Sequence, residues 1–282
     1  ATIADLEDIL QKPERVRAIV RNDLEDIKNR YPTPRKTEIS TDYADIGEAD
    51  LIEREDVVIS MTHFGYVKRL PVSEYKAQHR GGAGITAHKP KEEDFVENMF
   101  ITSTHDDLMF FTNFGKVYVI KGYEIPEASR NSRGRAVINI LQLDPGEKVA
   151  TLLPVPERGE GYLMLATKQG LIKKTALSEF ESIRKTGKKA IRLVDGDELI
   201  AAMITKGDEE LIIASHEGKC IRFREADVRA MGRDCQGVRS MKLNPGDYAV
   251  DMAMVEEDKE VLTISENGFG KRSSPDEYRV QG

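Results

Sequence analysis

Residues 107–120 read DLMFFTNFGKVYVI, with two short apolar runs on either side of the turn Asn113-Phe114-Gly115. Glycine tolerates the positive φ angle of a tight turn, and flanking β-branched and aromatic residues can then pair as an antiparallel hairpin. The stretch therefore predicts a β-hairpin. A similar pattern occurs four more times along the chain.

The five copies align on their turn glycines, which are spaced by 50, 55, 48 and 50 residues. These glycines are Gly65, Gly115, Gly170, Gly218 and Gly268. Seven and six residues before the glycine, every copy is apolar: Val58, Leu108, Leu163, Leu211 and Val261, then Ile59, Met109, Met164, Ile212 and Leu262. Three residues before it, every copy has a hydroxyl: Thr62, Thr112, Thr167, Ser215 and Ser265. Such a fixed period indicates a repeat architecture.

A second hairpin is predicted in each repeat, for example over residues 136–141 before the turn Asp144-Pro145-Gly146. Four strands in each unit of about 50 residues are typical of the blades of a propeller. We therefore predict an all-β fold with four-stranded, propeller-like blades. An unrelated β-sandwich is the alternative, but it would not require so regular a period.

The first 30 residues differ from the repeats, because their apolar residues recur at steps of three and four, as in an amphipathic helix. Pro13 interrupts this pattern and predicts two helices, the second beginning near that proline. We predict a short α-helical segment and linker over residues 1–40. The repeat domain is predicted over residues 41–282, as four repeats and the start of a fifth.

Several functional classes have no support in the sequence. No apolar run reaches the roughly 18 residues of a bilayer span, and the N-terminus lacks the order of a signal peptide, so a cytoplasmic location is predicted. Cys220 and Cys235 are interpreted as packing residues. The five histidines lack the spacing of a zinc site, and motifs for phosphate-binding loops or nucleophiles are absent from the sequence. We predict no metal, no cofactor and no catalytic residue in this chain.

The net charge is −7, but the charges are unevenly distributed. Residues 171–192 contain seven basic and two acidic residues, whereas residues 193–217 contain one and seven. Because basic blocks follow the turn glycine, we predict a rim that binds the phosphates of duplex DNA without reading bases. A second interpretation is that these side chains only protect exposed edge strands from aggregation. The predicted rim residues are Lys68, Arg69, Lys116, Arg130, Arg133, Arg135, Lys173, Lys174, Arg184, Lys185, Lys188, Lys189, Arg222, Arg224, Arg229, Arg233, Lys271 and Arg272.

A glycine-rich heptapeptide closes the first basic block. It consists of Gln78, His79, Arg80, Gly81, Gly82, Ala83 and Gly84. Its three glycines let a backbone approach phosphates closely, and arginine supplies a permanent charge with a forked donor geometry. The heptapeptide resembles the Gln-Arg-Arg-Gly-Gly-Lys-Gly box of the gyrase A C-terminal domain family. His79 and Ala83 depart from that pattern and make this box less cationic near neutral pH.

Other segments resemble the same family, namely residues 65–69, 73–75, 128–135 and 231–233. The resemblance implies a six-bladed β-pinwheel, a propeller-like fold that wraps DNA. It implies a type II DNA topoisomerase of two A and two B subunits that introduces negative supercoils, with ATP and Mg²⁺ used by the whole enzyme and the catalytic tyrosine upstream of this chain. Residues 1–40 look like the returning helix of the coiled-coil arm of that enzyme. No membrane partner is implied.

Two other functions are compatible with the repeats. The related C-terminal domain of the topoisomerase IV A subunit steers substrate choice without tight wrapping and usually lacks an intact box. Propellers with repeats of about 50 residues also serve as protein-interaction platforms. The retained Gln78, Arg80, Gly81, Gly82 and Gly84 favour a gyrase-type domain over both.

Overall fold

The computed structural model describes residues 2–33, 36–37, 48–75, 94–155, 160–181, 183 and 186–281. The chain divides into two compact units, residues 1–47 and residues 48–282. The predicted boundary at residue 40 lies outside the described residues.

The first unit contains two helices, α1 (Thr2–Gln11) and α2 (Pro13–Arg30). Pro13 occupies the first turn of α2, where its missing N–H removes no hydrogen bond, so the predicted pair of helices is confirmed. Arg15 joins the two helices, since its guanidinium lies 3.0 Å from the Asp5 carboxylate and 2.7 Å from the Asp8 carboxylate. Among the described residues, neither helix is apolar enough over a sufficient length to cross a membrane.

The second unit consists of antiparallel sheets that follow one another along the chain. The first sheet has the order β3-β1-β2-β6 and contains Val96–Ser103 (β3), Asp56–Thr62 (β1), Tyr66–Pro71 (β2) and Arg135–Ala136 (β6). The second has the order β10-β5-β4-β7 and contains Lys188–Lys189 (β10), Lys116–Lys121 (β5), Asp107–Thr112 (β4) and Val149–Val155 (β7).

The remaining sheets repeat this arrangement. The third has the order β11-β8-β9-β14 and contains Leu199–Thr205 (β11), Tyr162–Thr167 (β8), Leu171–Ala176 (β9) and Val238–Arg239 (β14). The fourth contains Cys220–Arg224 (β13), Glu210–Ser215 (β12) and Ala249–Val255 (β15), and the fifth Val261–Ile264 (β16) and Gly270–Ser273 (β17). A short 3-10 helix follows the second strand of each hairpin: Val72–Glu74, Gly122–Glu124, Leu177–Phe180, Glu225–Asp227 and Pro275–Glu277. Two further 3-10 helices are Glu48–Leu51 and Val137–Asn139.

The fourth strand of each four-stranded sheet comes from the following repeat. Strand β6 pairs with β2, β10 with β5, and β14 with β9. The predicted second hairpin at residues 136–141 is therefore wrong. The chain leaves β6 through the 3-10 helix Val137–Asn139 because the Val137 amide donates to the Gly65 carbonyl, 2.8 Å away, and its side chain is buried against the preceding turn. The result is four-stranded blades joined by strand exchange.

Apolar side chains fill the space between successive sheets. One buried cluster joins the first and second sheets, another the second and third, and a third the third and fourth. Both predicted apolar columns are buried in the first four repeats, whereas Leu262 of the fifth remains exposed. These clusters place the sheets face to face in chain order, which confirms the predicted blades.

The hydroxyl column stabilises the hairpin turns. Thr62, Thr167, Ser215 and Ser265 each accept a hydrogen bond from the backbone N–H four residues later, at 3.2–3.3 Å. The Ser215 hydroxyl also donates to the Asp247 carboxylate, 2.8 Å away. Because the hydroxyl accepts a hydrogen bond from the backbone of the turn, it recurs three residues before the turn glycine.

Candidate nucleic-acid interface

Three segments cross from one blade to the blade before it, and we call them straps. Strap 2 is residues 127–136, strap 4 is residues 229–239, and strap 3 is residues 181–189, of which 182, 184 and 185 lie outside the described residues. Straps 2 and 4 begin at isolated parallel bridges, Arg69↔Glu127 and Lys174↔Ala230, and all three end in the two-residue strands β6, β10 and β14. Both ends of straps 2 and 4 are thus fixed on the preceding blade.

Exposed basic side chains are carried by all three straps. Among the described strap residues, they are Arg133, Arg135, Lys189, Arg229 and Arg239. The Arg133 guanidinium lies 5.4 Å from the centroid of the Tyr66 ring, a geometry that favours a cation–π contact. Arg239 was missed by sequence reasoning, although it occupies the same pairing position opposite Leu171 as Lys189 does opposite Lys116. Alignment of the strap glycines Gly134, Gly187 and Gly237 could have found it.

Lys68 and Lys173 were predicted on the rim, and the structure buries both. Their exposed fractions are 1% and 0%. The Lys68 ammonium donates to the carbonyl oxygens of Ser129, Arg130 and Ser132 at 3.2, 2.7 and 3.1 Å. Burial lowers the pKa of Lys68, and it lowers the pKa of Lys173 to about 8. We therefore remove these two lysines from the set expected to touch phosphates.

Lys174 is also buried, and its partner lies in the next repeat. Its ammonium lies 3.1 Å from the carboxylate of Glu225, which is fully buried. Glu225 also accepts hydrogen bonds from the Thr205 hydroxyl at 2.7 Å and the Gly207 amide at 3.0 Å. This network links the third blade to the fourth, which corrects the prediction that Lys174 lies on an exposed rim.

Arg69 and Arg222 occupy the same register as Lys174 and also join successive repeats. Arg69 donates to the Ile125 carbonyl at 3.2 Å and lies 3.6 Å from the Glu127 carboxylate. Arg222 donates to the Pro275 carbonyl at 2.6 Å, and its guanidinium lies 2.6 Å from the Glu210 carboxylate. Since both side chains are largely buried, we interpret them as residues that hold neighbouring blades together rather than as rim residues.

The other predicted rim residues fall into three groups. Lys116 contacts Asp144, and Arg233 is half-buried with its guanidinium donating to the Glu179 carbonyl at 2.9 Å. Arg130 and Lys188 are also half-buried. Arg224, Lys271 and Arg272 are exposed and pair with the carboxylates of Glu210, Glu277 and Glu260, respectively. Arg184, Lys185 and the box at residues 78–84 lie outside the described residues.

The two cysteines differ in their exposure. Cys220 is half-buried, but Cys235 is exposed in strap 4, so its interpretation as a packing residue is wrong. Within the part of the chain that the structure describes, no group of three or more His, Cys, Asp or Glu side chains could hold a metal ion.

The buried pair between Lys174 and Glu225 makes a prediction about stability. Replacing Glu225 with alanine should lower the free energy of unfolding by about 3–5 kcal/mol, because it leaves a buried ammonium without its partner. The matched control is Glu277→Ala, which removes an exposed ion pair with Lys271 and should cost less than about 1 kcal/mol. Urea unfolding of the two variants measures the difference. Equal losses would show that Glu225 does not act through a buried pair.

The fold and the straps together define a class: a propeller-type β-protein with strand-exchanged blades and basic crossing segments. The chain belongs to the family described as DNA gyrase C-terminal domain, beta-propeller, whose family model matches residues 56–103, 106–156, 161–206, 209–256 and 259–282. These five segments coincide with the five predicted repeats. Family membership confirms the resemblance inferred from the box and its flanking motifs.

Similar curated proteins are gyrase A subunits. The chain is 44% identical over 283 residues to the DNA gyrase A subunit of Staphylococcus epidermidis, covering 99% of this chain and 32% of that protein. It is 46% identical over 250 residues to the DNA gyrase A subunit of Escherichia coli, covering 88% of this chain and 29% of that protein. The chain thus spans about a third of the length of the curated relatives it matches.

Two solved structures share the fold. The C-terminal domain of DNA topoisomerase IV aligns with a TM-score of 0.68 and 27% identity, covering 82% of this chain and 71% of that one. The DNA gyrase A C-terminal domain aligns with a TM-score of 0.64 and 32% identity, covering 81% and 74%.

Proposed function

We propose that this chain binds duplex DNA through its straps and bends it around the edge of the successive blades. The observation that carries the proposal is the recurrence of exposed Arg and Lys side chains on three successive straps. Basic side chains at regular intervals neutralise successive phosphates and release counterions, which favours binding without regard to base sequence.

The composition of the straps favours double-stranded DNA. None of the three straps contains Phe, Tyr or Trp. Proteins that hold single strands usually stack bases on such side chains. Arginine and lysine alone provide charge and phosphate hydrogen bonds, which suit a duplex backbone.

The membership in the gyrase family supports a more specific role. As the C-terminal region of a gyrase A subunit, the chain would wrap DNA so that the whole enzyme passes one segment of a molecule through another in a fixed direction. A second A subunit, the B subunits, ATP, Mg²⁺ and the catalytic tyrosine would all lie outside this chain. An enzyme that acts on chromosomal DNA would be located in the cytoplasm.

A topoisomerase IV type of domain is the second candidate. The TM-score of 0.68 with such a domain and the departures at His79 and Ala83 favour it. The retained part of the box and the higher identity to the gyrase A domain, 32% against 27%, favour wrapping. The change in linking number of a closed circle separates the two.

Binding to unrelated duplexes tests the proposal. Fluorescence anisotropy with several duplexes of equal length but different sequence should give equal affinities. The logarithm of each affinity should fall linearly with the logarithm of the salt concentration. Affinity that depends strongly on sequence, or that is insensitive to salt, would contradict it.

The chain alone should neither cleave nor relax DNA. The catalytic tyrosine of the proposed whole enzyme lies outside it, so a supercoiled plasmid should keep its linking number with or without ATP and Mg²⁺. Gel electrophoresis after protease treatment measures this. Relaxation by a preparation free of contaminating topoisomerase would overturn the prediction.

A further inference from the structure

We propose that Lys68 and Lys173 are positioning residues: each holds an arginine-bearing strap of the next repeat in the conformation that meets DNA. This inference rests on the proposed function, because it specifies how the straps are fixed for that function. Neither lysine is expected to touch DNA itself.

The contacts of Lys68 with strap 2 match the chemistry of an ammonium group. An ammonium has three N–H donors and no acceptor. Lys68 has three carbonyl acceptors, from Ser129, Arg130 and Ser132, at distances of 2.7–3.2 Å. These three residues precede the exposed Arg133. One buried cation therefore fixes the backbone that determines where the strap arginines project.

Strap 4 shows the same contact independently. Lys173 is three residues after its turn glycine, as Lys68 is after Gly65. Its ammonium donates to the carbonyl of Arg233 and, at 2.7 Å, to that of Ala190. Arg130 and Arg233 both lie fifteen residues after the glycine of their own repeats. In both straps, the lysine of one repeat thus binds the backbone of the equivalent arginine in the next.

Close packing of the strap glycines accompanies each contact. A Cβ on Gly134 would lie 2.5 Å from the Val67 carbonyl oxygen and 3.0 Å from the Lys68 Cβ. A Cβ on Gly237 would lie 2.7 Å from the Ile172 carbonyl oxygen. Both glycines have positive φ angles, 84° and 95°. The straps therefore lie directly on the strands that supply the two lysines.

The second repeat provides an internal contrast. Tyr118 occupies the register of the two lysines, and its hydroxyl lies 3.1 Å from the Gln142 carbonyl oxygen and 3.0 Å from a Glu147 carboxylate oxygen, the two acceptors available to its one hydrogen. Burial, followed by the effect of Glu147, raises the pKa of this tyrosine. Gln142 and Glu147 belong to the same repeat as Tyr118, so the hydroxyl holds its own blade. The Tyr118 ring packs against Gly187 of strap 3, where a Cβ would lie 2.6 Å from it, but the hydroxyl makes no hydrogen bond to the described residues of that strap.

Burying an ammonium is costly, and an apolar side chain would fill the same space without that penalty. Both lysines are buried, so their charges are not stabilised by hydration. Their ammonium groups instead donate to strap carbonyls, of which the Ser129 carbonyl also accepts from the Ser132 amide and hydroxyl. The retained charge is thus explained by the strap that it holds.

A double-mutant cycle in the 282-residue chain tests the proposal. Arg130→Ala with Arg133→Ala should make the slope of log affinity against log salt less negative by up to about 1.8, or roughly 0.9 for each phosphate contact. Lys68→Met should produce a large part of this loss while both arginines are present. Combined with the two arginine substitutions, it should add almost nothing, since residues that act through one another are not additive. Circular dichroism and thermal melting confirm that each variant is folded at the assay temperature.

The matched control is Tyr118→Phe, which removes a buried hydrogen bond at the same register but no strap contact. It should lower the melting temperature and leave the salt slope unchanged. If Lys68→Met does not fold, Lys68→Gln and the corresponding cycle of Lys173→Met with Arg233→Ala replace it. Additive losses, or a folded Lys68 variant that binds like the parent, would overturn the proposal. A parent chain that does not bind duplex DNA would instead overturn the proposed function.

Discussion

Replacing Arg133, Arg135, Arg229 and Arg239 with alanine should make the slope of log affinity against log salt less negative by up to about 3.6, because each lost phosphate contact reduces its magnitude by roughly 0.9. All four side chains are exposed, on two straps that the blades hold in equivalent positions. The variant should weaken binding to all duplex sequences about equally, as measured by anisotropy titrations at several salt concentrations.

A variant with the same change in charge provides the control. Arg15, Arg17, Arg21 and Lys28 belong to α2, outside the repeat unit. Their replacement with alanine lowers the net charge by the same amount and should leave the slope nearly unchanged. Equal losses from the two variants would mean that binding follows the total charge and not the straps.

Replacing Arg80, Gly81 and Gly82 with alanine should abolish most of the linking-number change that the chain imposes on circular DNA. The physical reason lies in the residue types: glycine permits close approach of the backbone to phosphate, and arginine provides a forked, permanently charged donor. The straps should still support salt-dependent binding. The assay ligates nicked circles in the presence of parent or variant, with the α2 charge variant as control.

The opposite result would also be informative. A box variant that changes linking number as the parent does would show that the segment is only a glycine-rich turn. Wrapping would then depend on straps 2 to 4 alone.

The repeat columns predicted most of the fold. Leu108 and Met109, with their equivalents in the other complete repeats, are buried between blades as their regular spacing indicated. Turn glycines such as Gly115 have the positive φ that the hairpin pattern required. These features could be predicted because a local turn and a local apolar run specify them.

The strand exchange could not be predicted in the same way. Strands β6, β10 and β14 have only two residues each, too short for a period-two pattern. Their pairing partners lie in the preceding repeat, so the determinant is tertiary. The buried Val137 and the Gly65 carbonyl fix the chain there.

The rim was only partly predicted for a related reason. A strand in which charged and apolar residues are mixed, as in Val67-Lys68-Arg69-Leu70, usually has one solvent-exposed face. In this fold the next repeat covers these side chains: Lys68 is buried under the carbonyl oxygens of strap 2, and Arg69 is held by Ile125 and Glu127. The segregation of charge along the chain identified the basic segments. Which of their side chains join blades and which are exposed on the straps depends on how the blades pack.

The most direct test of the central claim is the linking number of circular DNA closed by ligase while the 282-residue chain is bound. If the straps wrap duplex DNA in the manner proposed for a gyrase-type domain, positive writhe should be trapped, and the linking number should rise in proportion to the amount of bound protein. Saturating, salt-sensitive binding with no change in linking number would contradict wrapping.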